Sequence, residues 1–291
     1  MSYGGFAMKT AVITDSGSNI YYENLEIPAD LFVVPLQVID GETSYREGVD
    51  ITILDTYEMV KNGKLLKTSL PILGDIEAKF REIKALGYER IFAVPITTGL
   101  SSTISAMKTI ASQVDIVFDY FDCYTTARVQ LECSLKAVEM FKEDKEISEI
   151  KEVLQDMIDH SVTFVLPTDM DHLARGGRLT PLAAKLAGFL KINPVLYLNE
   201  ETKGKIESFT KVRTMKKAMK VVSDYFAEHQ VDERYRICVV HVLDEANGQY
   251  FLDMLKERFP KTDIYLTDLI SVVGVHTGIG CIAVQYVKVR S

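Results

Sequence analysis

Short runs of β-branched and apolar residues alternate along this chain with stretches whose apolar positions recur at helical spacing. Strand-like runs stand at "TAVIT", "LFVVPLQVI", "RIFAVPI", "DIVFDYF", "TFVL", "NPVLYL", "YRICVVHVL", "DIYLTDL" and "CIAVQYV". Between several of them lie helical patterns, notably "ILGDIEAKFREIKALG", "ISAMKTIASQV" and "QLECSLKAVEMFKED". Alternation of period-2 or fully apolar runs with 3.6-period stretches predicts βαβ units around a parallel sheet in the first half. The charged helical stretch "KEDKEISEIKEVLQDMIDH" precedes a strand expected near Val162. A domain boundary is placed there, giving an N-terminal α/β domain over 8–160 and a C-terminal α/β domain over 161–291. A chain of 291 residues, 47% hydrophobic, has core enough for both.

Two local patterns stand out against this background. In "VPITTGLSSTISAM" (94–107), six hydroxyl side chains fall within nine positions, between a strand and a helix start. Ser and Thr belong at helix N-caps, and a strand end leading into a helix is where a doubly wound sheet leaves a crevice that attracts anions. The second half opens with "TFVLPTDMDHLARGGRLTPLAAKLAGFLKINPVLYL". Thr180 followed by Pro181 predicts a helix from Pro181 to Leu190, apolar almost all round with Lys185 its lone charge. Such a helix is expected to be buried or to face an apolar ligand.

Charge narrows the function. The formal net charge is −8 and no basic stripe of the kind a phosphate backbone requires is visible, which argues against nucleic acid as a partner. Cys123, Cys133, Cys238 and Cys281 are widely spaced, with no C-x-x-C pair, so neither zinc nor a disulfide framework is expected. The longest apolar runs stop short of the ~20 residues of a spanning helix. Met1–Ala7 is read as an appended leader and left out of the fold reasoning. A soluble, cytoplasmic protein with reduced thiols is expected.

The common catalytic signatures are missing. "NGKLLKTS" is not a P-loop, and there is no G-x-S-x-G and no G-x-G-x-x-G after a strand. In "DMDHLARGGR", Asp169, Asp171 and His172 match no standard metal spacing. Gly176 and Gly177 read either as a tight turn presenting N–H groups with Arg178 as a planar fork for a carboxylate or phosphate, or as a loop turn with Arg178 in a structural ion pair. Asp15, Ser16 and Ser18 in "TDSGSN", and Thr68 and Ser69 in "KTSLP", suit capping and turns. His276 in "GVHTGIGC" reads as a loop histidine with no identifiable carboxylate to orient it, so no nucleophile–base pair emerges. His160, His172, His229 and His241 are assigned no role. The picture is a pocket that holds an anion.

The motifs "TDSGSN", "KTSLP", "ITTGLSSTISA", "HLARGGRLT", "INPVLYL", "KVRTMKKA" and "HTGIG" occur in an order that resembles the DegV family of bacterial fatty-acid-binding proteins, over nearly the full length after Met8. The resemblance implies a two-domain DegV-like α/β fold with a parallel-sheet N-terminal domain, a mixed-sheet C-terminal domain and a long-chain fatty acid between them. It implies carboxylate contacts from Thr68 and Ser69, from Thr97, Thr98 and Ser101, and from Arg178 and His276, with the tail in an apolar tunnel. It further implies a partner, a fatty acid kinase related to dihydroxyacetone kinases that phosphorylates the presented carboxylate with ATP and so feeds phospholipid synthesis. Arg213 in "KVRTMKK" would face that partner, and the chain itself would be a carrier with no cofactor or metal. The chain departs from the family pattern at Thr97 and Thr98, where serines are usual, at Ser102 and Ile279, where glycine and proline are usual, and at Cys123. The alternative reading is a hydrolase or transferase acting on a lipid ester or phosphate through the hydroxyl cluster and His276.

Overall fold

The structure is a computed structural model that describes residues 8–23, 25–188 and 192–290. The first strand, β1 (Thr10–Asp15), is wholly buried, and β2 (Leu31–Val34) lies parallel beside it. The run "LFVVPLQVI", expected as one strand, divides at Pro35. Proline has no N–H to give a ladder, and the chain resumes as β3 (Gln37–Asp40) in a different sheet. There β3 pairs antiparallel with β4 (Thr43–Arg46) and, after helix α1 (Ile53–Lys61), with β5 (Lys67–Ser69). Helix α1 opens on a capping box between Thr52 and Asp55.

Helix α2 (Leu73–Ala85), β6 (Arg90–Ala93), α3 (Thr103–Val114) and β7 (Val117–Tyr120) complete a parallel sheet of order β2-β1-β6-β7. Helices α2 and α3 cover one face through Ile76, Phe80, Ile83, Met107 and Ile110. Helices α4 (Ala127–Lys142) and α5 (Ile147–Asp159) cover the other through Val129, Leu131, Ile150 and Leu154. From β1 the chain runs to β2 on one side, and from β6 to β7 on the other. The switch point therefore lies between the carboxyl ends of β1 and β6, where such sheets form their crevice.

The second half follows with β8 (Ser161–Leu166), α6 (Met170–Arg175), α7 (Pro181–Ala184), β9 (Asn193–Leu198) and β10 (Glu207–Val212). It ends with α8 (Met215–Glu228), β11 (Tyr235–His241), α9 (Glu245–Arg258), β12 (Asp263–Asp268), α10 (Ser271–Thr277) and β13 (Ile282–Lys288). The strands form one mixed sheet, β10-β9-β8-β13-β11-β12, parallel only between β11 and β12. Period-2 alternation sorts its side chains. Phe164, Val284 and Tyr286 pack with Phe226 of α8 and Phe251 of α9, whereas Val165 and Ala283 point into a second core. That second core joins Leu36, Ile53 and Tyr57 of the first half to Val240 and Val272 of the second, so the two halves share apolar interior. The fold is α/β, parallel in its N-terminal part and mixed in its C-terminal part, as the sequence led one to expect.

The helix expected from Pro181 to Leu190 is a correction. Thr180 does cap it, accepting the Ala183 N–H at 3.2 Å, but the helix ends at Ala184. Only Ala183 of its four residues is buried, and Leu182 is 59% exposed. Gly188, at φ +80, closes the turn that follows. Phe189 and Leu190 lie outside the described residues, as do Met1–Ala7.

Candidate functional site

A cavity of about 520 Å³ opens at the switch point, between the loop after β6, the end of β5, the turn after α6 and helix α10. Its size falls within the usual ~300–1,000 Å³ of small-molecule sites. Its apolar lining includes Leu36, Leu70, Ile96, Leu100, Ile206 and Val273. Polar side chains come from Thr68, Ser69, Thr98, Ser101, Arg178 and His276, together with Ser102 and Ser105. Apolar lining together with a small cluster of hydroxyls and one guanidinium suits an amphipathic anion.

Seven residues were expected at a head group, and six of them line this cavity. Thr97 does not. It is fully buried behind the loop, where its hydroxyl accepts the Gly99 N–H at 3.3 Å and a Cβ on Gly204 would fall 2.1 Å from its Oγ1. Gly99 in turn lies so near the Gly204 backbone that a Cβ there would reach 2.3 Å. Thr97 thus docks the hydroxyl loop on the β9–β10 turn. Thr98 is at the cavity, but its hydroxyl donates to Asp122 Oδ2 at 2.5 Å, and its backbone N–H points to the same oxygen at 3.2 Å. Ser101 Oγ lies 2.8 Å from Thr103 Oγ1 and accepts the Thr103 N–H at 3.3 Å. Ser102 precedes α3 yet makes no side-chain cap, contrary to the capping role expected of the loop's hydroxyls, and its side chain lines the cavity.

His276 is not a loop residue. It sits near the end of α10, with Gly278 beyond it at φ +82. Its Nε2 lies 2.6 Å from Thr68 Oγ1. Burial pushes the imidazole pKa down to about 4, with the positive charge of Arg178 and then His172 acting in the same direction. At neutral pH the ring is uncharged, able to accept from or donate to Thr68. A ring so weakly basic, with the Arg178 guanidinium near it and no carboxylate bonded to it among the described residues, is poorly placed as the general base of a hydrolase.

The double-glycine turn is built as the sequence suggested. Gly176 ends α6, and Gly177 adopts φ +71, a left-handed conformation that glycine takes without steric cost. A Cβ on Gly176 would come within 2.9 Å of His276 Nδ1, so the turn and the imidazole pack closely. Arg178 Nη1 donates to the Gly176 carbonyl. Among the described residues no carboxylate pairs with this half-buried guanidinium, and burial lowers its pKa. A cation held without an acid at a cavity wall favours an incoming anion.

Two buried carboxylates hold the site from behind, and only one was noticed in the sequence. Asp15 accepts from Gly17 N, Ile96 N and Gln130 Nε2, and burial raises its pKa to about 6 despite those bonds. Ser18 donates to the Asp15 carbonyl, so this loop does the turn work expected of it. Glu47 is fully buried and spans the two halves. One of its oxygens accepts the Ser16 hydroxyl at 2.7 Å, and the other accepts the Val272 N–H at 3.0 Å. Burial pushes its pKa up to about 7, opposed by the Ser16 and Val272 bonds. Ser16 Oγ also accepts the Leu36 N–H at 3.0 Å. Leu36 and Val272 both line the cavity, so one carboxylate, directly and through Ser16, links lining residues from the two halves. A glutamate in "YREGVD" gives no periodic or motif signal of this.

Other sequence candidates have local partners. Asp169 caps α6 through the His172 N–H, Asp171 accepts the Gly188 N–H at 2.8 Å, and His172 Nε2 lies 2.8 Å from the Val275 carbonyl. No group of residues fit to hold a metal occurs among the described residues. Arg213 is exposed just before α8, away from the cavity lining. All four cysteines are buried and free, and no helix among the described residues is long and apolar enough to cross a membrane.

This arrangement has known counterparts. A family model described as uncharacterised protein, DegV family, matches residues 9–289. The chain belongs to the DegV family. Among DegV relatives, a DegV domain-containing protein of Streptococcus pneumoniae is 30% identical over 285 residues, covering 97% of this chain and 100% of that protein. Protein DegV of Bacillus subtilis is 30% identical over 288 residues, covering 95% and 98%. Of solved DegV structures, the fatty acid binding DegV family protein of Streptococcus agalactiae superposes with a TM-score of 0.86 at 27% identity, covering 97% of this chain and 99% of that one. DegV of Bacillus subtilis, described as a fatty acid binding protein, superposes at 0.81, with the same identity and coverage.

Proposed function

We propose that this chain binds one long-chain fatty acid and presents its carboxylate to a separate kinase, doing no chemistry of its own. The reading treats 8–160 and 161–291 as two units with the ligand between them. The single observation that supports it most is the half-buried Arg178, without an acid partner among the described residues, lining one cavity with Thr68, Ser69, Ser101, neutral His276 and several apolar side chains. DegV relatives of the same fold are described as fatty acid binding. The physics suits a carrier, because each methylene removed from water contributes ~0.8 kcal/mol while the polar end fixes orientation.

In this reading Thr68, Ser69, Ser101, Arg178 and His276 hold the carboxylate, Thr98 and Thr97 support the loop, and Arg213 meets the partner. The partner is a dihydroxyacetone-kinase-like fatty acid kinase. A carboxylate oxygen attacks the γ-phosphorus of ATP, the bond to the β-phosphate oxygen breaks, and ADP leaves with the acyl phosphate formed. That product would supply phospholipid synthesis in the cytoplasm. The test is calorimetric titration of palmitic acid and its methyl ester. Saturable one-to-one binding of the acid, with the ester at least about tenfold weaker for want of a charge-assisted head contact, supports the reading. Equal binding of both removes the head-group assignment.

A further inference from the structure

Glu47 and Val272 stand 225 positions apart in the chain and meet between the two halves. Glu47 follows β4 and is fully buried. One of its oxygens accepts the Val272 N–H at the start of α10, and the other accepts the hydroxyl of Ser16, which itself accepts the Leu36 N–H. Helix α10 places Val272, Val273, His276 and Thr277 on the cavity, and Leu36 lines it from the first half. A single side chain therefore fixes lining residues from both halves.

The surroundings of that side chain suit a neutral acid better than a carboxylate. Among the described residues no cation pairs with it, and Arg46, the residue before it, is taken by Asp50. The titratable groups that face it are Asp15 of β1, Tyr21 and Tyr22 of the helical turn after β1, and Tyr57 of α1. Helix α10 brings Ser271, whose buried Oγ has no hydrogen-bond partner of its own and lies beside Glu47. His276, at the far end of that helix, answers to Arg178 and His172 instead. In the neutral acid, the oxygen on Ser16 can carry the proton and donate it to Ser271 Oγ, and the other oxygen stays available to the Val272 N–H. An ionised Glu47 has only hydrogen bonds to set against burial, which pushes its pKa up to about 7. The enclosed arrangement thus favours the neutral acid, and one that admits water favours the carboxylate. A ligand anion in the cavity acts in the same direction, because it repels a second buried negative charge.

We propose that Glu47 is a proton-linked clip on the cavity: the neutral acid keeps α10 and Leu36 in place, and ionisation hydrates it, frees the start of α10 and loosens the hold on the ligand. The coupling to ligand rests on the fatty acid reading above, whereas the clip itself does not. Glu47 is a positioning residue, since it is not among the lining residues and acts through Val272 and Ser16. The proton it gives up goes to solvent, and by linkage ligand binding draws it back. Asp15, at about 6, titrates in the same range, but its bonds to Gly17, Ile96 and Gln130 stay inside the first half.

Two measurements on wild type and Glu47→Gln, which stays neutral at every pH, test the clip and its coupling. Amide hydrogen exchange of the ligand-free protein reads the clip directly. In wild type, protection at Val272, Val273 and Gly274 should fall by about tenfold or more between pH 5 and pH 7, beyond the intrinsic base-catalysed rise, and then level off. In Glu47→Gln it should be flat. Flat protection in wild type, or the same fall in both proteins, overturns the proposal. Titration of palmitic acid at pH 5 and pH 7.5 reads the coupling. The wild-type Kd should rise by about fivefold more than that of Glu47→Gln, in which the ligand's own titration is all that remains of the Glu47-linked change. Parallel Kd profiles overturn the coupling. Palmitic acid that binds at neither pH means that the fatty acid reading has failed, and the exchange result still decides the clip. If Glu47→Gln does not fold, wild type alone decides, and protection that does not fall and then level off near pH 7 overturns the proposal.

Discussion

Thr68 Oγ1 and His276 Nε2 meet at 2.6 Å although 208 positions separate them in the chain. One belongs to the short strand β5 and the other to helix α10, so a side-chain hydrogen bond joins the two halves at the cavity lining. With the imidazole neutral, the pair carries no charge, and in the tautomer protonated at Nε2 the ring donates to Thr68 and leaves the hydroxyl proton for a ligand.

Replacing Thr68 by valine keeps the shape and removes the hydroxyl. The expected loss of fatty acid affinity is ~1.5–3 kcal/mol, the usual range for a hydrogen bond to a charged group. Titration of palmitic acid measures it, and an unchanged Kd would take Thr68 out of the head-group set.

Arg178→Met retains the aliphatic stem and removes the one charged side chain among the described residues that line the cavity. Affinity for the acid should fall by about tenfold or more, and whatever affinity remains should lose most of its dependence on ionic strength. Comparing binding at low and high salt checks this. A variant as salt-sensitive as wild type would place the electrostatics elsewhere.

Ser101 and Thr98 should separate. Thr98 already gives its proton to Asp122 at 2.5 Å, so Thr98→Ala is expected to cost about 1 kcal/mol of folding stability and little affinity. Ser101→Ala should weaken the acid by more than Thr98→Ala does. The reverse order in paired titration and denaturation would mean that Thr98 turns toward the ligand.

Glu47 makes stability depend on pH in a direction opposite to an ordinary ion-paired carboxylate. Its folded pKa of about 7 lies above the usual 4.5, so its contribution is fully present below pH 4.5 and lost as pH climbs to 7. Asp15, at about 6, acts in the same direction. His276, lowered to about 4 from 6.5, acts oppositely, its contribution being lost as pH falls through that window. Both are present in wild type and in Glu47→Gln, so their difference isolates Glu47. Denaturation midpoints at pH 5 and pH 8 should move in favour of Glu47→Gln at the higher pH, by at most roughly 3 kcal/mol. Parallel pH profiles for the two proteins would contradict the assignment.

Much of this was legible in the chain. Long apolar runs flanked by amphipathic stretches located the strands of the parallel sheet, and the paired glycines located the turn that carries Arg178. What stayed hidden depends on distance in sequence. The three-stranded sheet escaped notice because Pro35 splits one apolar run between two sheets, β4 is the polar "TSYR", and β5 has three residues. Thr97 and Thr98 look alike in sequence, yet the loop turns one into the protein and the other toward the cavity. Glu47 reads as a surface charge until its partners Ser16 and Val272, from opposite ends of the chain, bury it. The apolar composition after Thr180 implied burial, but a segment closed by Gly188 leaves Leu182 at the surface.

Everything proposed for this site depends on the cavity holding a long-chain fatty acid. The most direct measurement is organic-solvent extraction of the purified protein, followed by mass spectrometry of whatever leaves it. Long-chain fatty acid at close to one per chain is expected from wild type, with a marked depletion from Arg178→Met. An extract without fatty acid, from a protein that also fails to take up added palmitic acid, would contradict it.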